Sequence, residues 1–216
     1  MTVRKIALLA ATALALVACG SDDDASGAAR DVGACPPEEG ADEQTQAFDA
    51  APPMCLVDGA DYEAVVSTNK GEFTVALDPD SAPEATNNFV FLARNRYFDD
   101  TLCHRIIPGF VVQCGDPTAT GTGGPGYTIV DEPPAPGQYQ IGSLAMAKTP
   151  APDSAGSQFF IVTGAQGTSL PPEYALFGQV TTGFDDTVVA IEAAGTPGAG
   201  TPTEPIEIQS IRIVQT

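Results

Sequence analysis

The sequence contains one histidine, no tryptophan and only nine lysines and arginines in 216 residues. A single histidine excludes a histidine-rich metal centre. It also means that any serine–histidine or cysteine–histidine chemistry would have to run through His104. Nine bases against 28 acids give a formal charge of −19. That excludes a general nucleic-acid binder, because phosphate contacts need clustered Lys and Arg, and it argues against docking on anionic lipid through a basic patch. No apolar run reaches the ~20 residues that span a bilayer as a helix. Glycine (22) and proline (19), by contrast, are plentiful and point to many turns and β structure rather than a helical bundle. With 43% hydrophobic residues the chain can build a real core of ordinary domain size.

Residues 1–18 read as an address. Arg4 and Lys5 form a positive start, and residues 6–18 are an uncharged apolar run that ends in Leu16-Val17-Ala18-Cys19. This ending resembles the lipobox of bacterial lipoproteins, in which the cysteine thiol is acylated and the signal is cut before it. The resemblance implies a mature chain that starts at Cys19 and carries fatty acyl groups such as palmitate. It would be held on the extracytoplasmic face of the cell membrane by lipid, at about 0.8 kcal/mol per buried CH₂. Losing 1–18 removes Arg4 and Lys5, leaving 7 bases against 28 acids, or −21.

Residues 19–60 are rich in Asp, Glu, Ala, Gly and Pro and lack apolar periodicity up to Tyr62. They are expected to form an extended, solvated tether below a domain over 61–216. Cys35 and Cys55 bracket the second half and could close it into a more ordered loop.

Within the domain, "YEAVVSTNKGEFTVALD" reads as a hairpin, with strands over 62–67 and 72–77 and a turn at Asn69-Lys70-Gly71. "SAPEATNNFVFLARNRYF" reads as a helix: Ser81 and Glu84 have capping-box spacing, Pro83 falls in the first turn, and Ala85, Phe89, Leu92 and Ala93 share a face. Further strands are expected over 103–106, 111–114, 143–147, 158–162, 177–180 and 207–214. A second helix is expected over 184–194, with Val188, Val189 and Ile191 inward. Eight strands and two helices suggest a mainly β fold: a closed eight-stranded antiparallel barrel whose open ends are capped by two α-helices.

Four blocks in order, "HRIIPGFVVQCGD", "GSLAMAK", "GSQFFIVT" and "LFGQV", resemble the cyclophilins, a family of peptidyl-prolyl cis-trans isomerases, over about 62–214. The resemblance implies the cyclophilin barrel with its groove on the outer face. It also implies catalysis of rotation about X-Pro bonds with no cofactor and no metal. The partners it implies are proline-containing polypeptides, here exported proteins folding in the cell envelope. A monomer is expected. The rival reading is a module that binds proline peptides without turnover. A solute-binding lipoprotein is disfavoured because the domain is too small for two lobes.

The resemblance makes Arg105 the catalytic residue. Its guanidinium stays protonated and offers a fixed fork of N–H donors. Phe110, Val111, Phe160, Leu170 and Tyr174 match the lining of the proline pocket, and Gln113, Ala147, Lys148 and Gln158 match the rest of the groove. Of the two phenylalanines in "SQFF", one should face the core and the other the groove, since successive strand side chains point oppositely; the resemblance implies Phe159 inward and Phe160 toward the groove. Three positions depart from the family. Lys148 stands for a groove asparagine and puts a cation at the groove border; Ser169 stands for a tryptophan, implying weak cyclosporin binding; Tyr174 stands for a histidine. His104 is expected to be structural, because isomerisation needs no base. The Gly121–Gly126 run lacks the Lys-Ser/Thr end of a phosphate loop and reads as a surface loop at the groove edge.

Four cysteines remain after Cys19 and allow three disulfide pairings. Cys35–Cys55 with Cys103–Cys114 is favoured. Strict alternation, however, puts Cys103 and Cys114 on opposite faces of a hairpin that shares Arg105 and Gln113, so the second pair would need a bulge.

Overall fold

The computed structural model describes Met1 and residues 34–216. The expected signal beyond Met1, Cys19 and residues 20–33 of the tether lie outside the described residues. The order of elements is β1 (Tyr62–Thr68), β2 (Gly71–Leu77), α1 (Pro83–Arg94), β3 (Thr101–Leu102), β4 (Arg105–Ile107), β5 (Val111–Cys114), β6 (Ser143–Met146), β7 (Phe159–Val162), α2 (Ala165–Thr168), β8 (Leu176–Thr182), α3 (Val189–Glu192) and β9 (Glu207–Gln215). No described helix is long and apolar enough to cross a membrane.

The strands form one curled antiparallel sheet in the order β3-β9-β1-β2-β8-β6-β7-β5-β4. Among the described residues it has nine strands rather than the expected eight, and it is not a closed barrel. The extra strand, β3, has two residues, too few for any alternation to register in the sequence. Among the described residues a single main-chain bridge, between Leu102 and Asp116 just beyond β5, links the two ends of the sheet. The free edge of β4 is instead occupied by a loop: Ile106 donates its N–H to the Gly200 carbonyl (2.7 Å) and accepts from the Thr196 N–H (3.1 Å). That covers an edge that would otherwise be exposed.

The two-helix cap needs a similar correction. Among the described residues only α1 is a helix of several turns. It packs against β8 and β9 and is buried from Ala85 to Arg94. Pro83 opens it as expected, but Ser81 and Glu84 form no capping box. The Glu132 carboxylate, from a distant loop, accepts the N–H of Glu84 (3.0 Å) and of Ala85 (2.8 Å). A carboxylate there meets two orphan donors and the positive end of the helix dipole together. The second helix is shorter than 184–194: Phe184–Val188 make a π turn and α3 spans Val189–Glu192. Val188 and Ile191, three residues apart, share the buried face, while Val189, about 100° round the helix from Val188, is exposed instead of inward.

The sheet has two apolar faces. Phe159, Ile106, Val112, Leu144 and Ile161 join the main core around Phe89 and Phe98. Their strand neighbours Val111, Ala145, Phe160 and Val162 form a smaller outer cluster with Tyr139. Phe159 is therefore inward and Phe160 outward, as alternation requires.

Residues 34–60, expected as a solvated tether, pack along α1. The N–H groups of Ala41 and Thr45 donate to the carbonyls of Arg94 (2.7 Å) and Asn95 (3.0 Å), groups that the helix end leaves unpaired. Phe48 is buried, its ring centroid 5.0 Å from that of Phe91 and its N–H on the Pro125 carbonyl (2.8 Å). Side chains add to these bonds: Gln44 and Gln46 donate to the carbonyls of Asp99 (2.7 Å) and Tyr97 (3.0 Å), and Asn87 of α1 accepts the Cys55 N–H and donates to the Pro53 carbonyl, so the acidic composition conceals the packing. Cys35–Cys55 closes this strap, and Cys103–Cys114 is the second disulfide. The objection from alternation lapses because Cys103 precedes β4 and is not bound by its pleat. Both Cys103 and Cys114 lie in the main core.

Candidate functional site

Four strands align one row of side chains. Arg105 pairs with Gln113, Gln113 with Phe160, and Phe160 with Ala145, across β4, β5, β7 and β6. Antiparallel partners directly opposite one another project to the same face, so this row lies on the outer side of the sheet. A cleft of about 160 Å³ opens over it. Phe110, Val111, Phe160, Leu170 and Tyr174 supply its apolar lining, while Arg105, Gln113, Ala147 and Lys148 form the remainder. Nine of the ten groove positions read from the sequence thus meet in one cavity. The volume is below the ~300–1,000 Å³ of cofactor or drug sites and suits a single side chain.

The tenth position, Gln158, lies just before β7 and lines an adjoining cavity of about 340 Å³. Gln113, Ala147 and Lys148 are common to both cavities, which therefore form one groove. Three amides connect them. The Arg105 guanidinium donates to Gln113 Oε1 (3.3 Å), Gln113 Nε2 donates to Gln158 Oε1 (2.9 Å), and Gln158 Nε2 donates to the Gly123 carbonyl (3.0 Å).

Arg105 makes no ion pair among the described residues. Its guanidinium carbon stands 5.6 Å from the Phe110 ring centroid, which leaves most of its donors free at the cleft. Gly200, at φ 77°, backs its stem: a Cβ there would lie 3.1 Å from Arg105 Cγ and 2.6 Å from Ile107 Cγ1.

Phe160 meets Tyr174 edge to face, with centroids 5.5 Å apart. Lys148 does not present a free cation at the border, as the sequence led us to expect. Its ammonium is paired with Asp131, which also accepts the Asp153 N–H. Burial pushes the Asp131 carboxyl up, but the bonds from Lys148 and Asp153 outweigh this and hold it below its usual range. Ser169 lies outside the cleft lining, its hydroxyl turned back to the Ala165 carbonyl.

Asp116 organises the glycine-rich wall. It is fully buried, and its carboxylate accepts the N–H groups of Thr118 (2.8 Å), Thr120 (3.1 Å), Gly121 (2.7 Å) and Gly123 (3.0 Å) and the Thr118 hydroxyl (2.7 Å). Burial pushes its pKa up, but these bonds overcome that and hold it at about 2. His104 is outside both cavities. Among the described residues neither ring nitrogen has a hydrogen-bond partner, and burial is the main force lowering its pKa.

Sequence reasoning missed Asp116, Asp131 and Tyr139. Each acts on a segment distant in the chain or on neighbouring main chain, and a lone Asp or Tyr in a Gly/Pro-rich loop carries no local signal of that.

Comparison with known proteins bears on the chain as a whole. Residues 64–213 match the family model described as cyclophilin type peptidyl-prolyl cis-trans isomerase/CLD. A probable peptidyl-prolyl cis-trans isomerase A of Mycobacterium leprae is 37% identical over 166 residues, covering 69% of this chain and 91% of that protein. The peptidyl-prolyl cis-trans isomerase A of Mycobacterium tuberculosis is 36% identical over the same length and coverage. The crystal structure of a Cryptosporidium parvum cyclophilin type peptidyl-prolyl cis-trans isomerase superimposes with a TM-score of 0.65 at 32% identity, covering 72% of this chain and 99% of that one. A structure of that protein in the presence of the dipeptide Ala-Pro gives 0.64 at 33% identity, covering 71% and 99%.

Proposed function

The chain belongs to the cyclophilin-type peptidyl-prolyl cis-trans isomerases, and on that premise we propose that Arg105 drives rotation of X-Pro bonds whose proline ring occupies the adjoining cleft. The reaction breaks no bond. C–N resonance sets a barrier of about 18–20 kcal/mol, and the unaided event takes tens to hundreds of seconds. Turnover at ~1–10³ s⁻¹ requires a barrier lower by roughly 3–7 kcal/mol.

The chain's own groups divide the task. Phe110, Val111, Phe160, Leu170 and Tyr174 take the pyrrolidine ring out of water, worth about 1.5–3 kcal/mol of binding. Gln113 and Gln158 offer amides to the substrate's main chain. As the amide twists, the prolyl nitrogen becomes pyramidal and regains a lone pair, and the Arg105 N–H donates to it. That hydrogen bond is available only near the transition state, so it raises the rate instead of merely tightening binding. One observation carries this reading: an arginine free of ion pairs among the described residues stands at the mouth of an apolar cleft, in one row with Gln113 and Phe160.

A protease-coupled assay on an X-Pro peptide tests it. Arg105→Ala should lower kcat/KM by about 10²-fold or more. Equal rates for wild type and Arg105→Ala would leave a non-catalytic proline-peptide-binding module. The same assay over peptides that vary the residue before proline reads substrate preference.

We also propose that this isomerase works as a monomer on exported proteins at the outer face of the cell membrane. It would be tethered by lipid on Cys19 once the signal over 1–18 is removed. The two disulfides support an oxidising compartment. Metabolic labelling with a palmitate analogue should mark wild type and not Cys19→Ser, and Cys19→Ser should leave the membrane fraction. Equal labelling and partitioning of the two would refute the anchor.

A further inference from the structure

Tyr139 stands behind the cleft, 3% exposed, in the outer apolar cluster with Val111, Ala145 and Phe160. It does not line the cleft. Its hydroxyl donates to the Tyr174 carbonyl (2.7 Å) and accepts the Tyr174 N–H (3.0 Å). Both main-chain polar groups of one cleft residue are thus held by a single phenol oxygen.

The segment around Tyr174 has little other means of support. It runs Ser169-Leu170-Pro171-Pro172-Glu173-Tyr174 between α2 and β8, and its two prolines have no N–H to give. The Glu173 N–H turns back to the Pro171 carbonyl (2.8 Å), and pairing with the sheet resumes only with the Ala175 carbonyl, which accepts the Met146 N–H (3.0 Å). The Tyr174 ring nevertheless has to hold an edge-to-face contact with Phe160 to close the cleft wall.

We infer that Tyr139 is a positioning residue for proline recognition, its hydroxyl fixing the main chain of Tyr174 so that the Tyr174 ring stays against Phe160 and keeps the proline slot in shape. The inference rests on the proposed proline slot. Burial pushes the Tyr139 phenol pKa up, more than the bonds to Tyr174 pull it down, so the group keeps its proton and its donor role throughout the neutral range. Arg105 is untouched by this contact, and the role therefore concerns ground-state fit of the ring more than the rotation itself.

The test is Tyr139→Phe, which removes one oxygen and keeps the ring. KM for an X-Pro peptide should rise about fivefold with kcat within a factor of two, as expected for loss of two modest hydrogen bonds. In a Tyr174→Ala background the same change should add nothing further. In wild type the Tyr174 amide should be protected from hydrogen exchange and should lose protection in Tyr139→Phe, while β1 and β2 amides stay unchanged. A fivefold effect that persists without the Tyr174 side chain, or an unprotected Tyr174 amide in wild type, would overturn the inference whether or not the variant folds well. If Tyr174→Ala raises KM and Tyr139→Phe does not, only the positioning role fails. If Tyr174→Ala itself leaves KM unchanged, the proline slot as drawn fails and the inference falls with it.

Discussion

Arg105 and Gln113 face each other across the β4–β5 ladder, the guanidinium donating to the amide oxygen at 3.3 Å, and that contact is the first step of a relay through Gln158 to the Gly123 carbonyl. The arginine is thereby aimed by neutral groups and keeps its charge. Gln113→Ala should lower kcat/KM about tenfold, less than loss of the arginine itself. Gln113→Glu should cost more than Gln113→Ala, because a carboxylate opposite Arg105 forms an ion pair that competes with the substrate. The protease-coupled assay ranks the variants, and the reverse order for Ala and Glu would contradict the relay.

Asp116 ties the glycine-rich wall to the sheet, and its contribution to stability depends on pH. Its folded pKa of about 2 is below the ordinary 3.8. A depressed carboxyl stabilises the fold above its unfolded pKa, and that stability is lost as pH falls from about 4 to about 2. The effect is on the order of 2 kcal/mol for a fully buried group. Melting temperature should fall through this window in wild type. Asp116→Asn should melt lower at pH 7 and show a shallower acid slope. Equal slopes would mean that the nest of N–H donors contributes no net stability.

The cap on α1 yields a contrast between one acid, Glu132, and one serine, Ser81. Glu132→Ala leaves the N–H groups of Glu84 and Ala85 without their carboxylate and should destabilise by about 1 kcal/mol. Ser81→Ala should change stability by less than about 0.5 kcal/mol, because no side chain of the local sequence caps the helix. Urea unfolding of the two variants measures this. A larger loss for Ser81→Ala would restore the capping box that the spacing of Ser81 and Glu84 implies.

Cys103–Cys114 spans 11 residues and fastens the hairpin that carries Arg105 at the edge of the sheet. A loop of that length corresponds to about 3 kcal/mol of unfolded-state entropy. Cys103→Ser with Cys114→Ser should lower the melting temperature by roughly 10 °C and reduce kcat/KM, since β4 then rests on three residue pairs with β5 and on the 196–200 loop. Denatured, unreduced protein should titrate no thiol from Cys35, Cys55, Cys103 or Cys114. Free thiols from these positions would rule out the pairing.

The amino-acid sequence by itself determined what depends on local pattern. Alternation placed the strands and set Phe159 and Phe160 on opposite faces; ordered motif blocks pointed to the family, to Phe160 as the groove member of that pair, and to nine residues that one cleft brings together. Tertiary structure alone decided what depends on pairing between distant segments. Glu132 rather than Ser81 caps α1, Asp131 neutralises Lys148, Asp116 gathers a loop, and Tyr139 holds Tyr174. It also decided that residues 34–60 strap the domain and that nine strands curl without closing. The reason is physical: a main-chain N–H or carbonyl has the same chemistry at every position, so which group satisfies it is settled only when folding brings distant segments within hydrogen-bond reach.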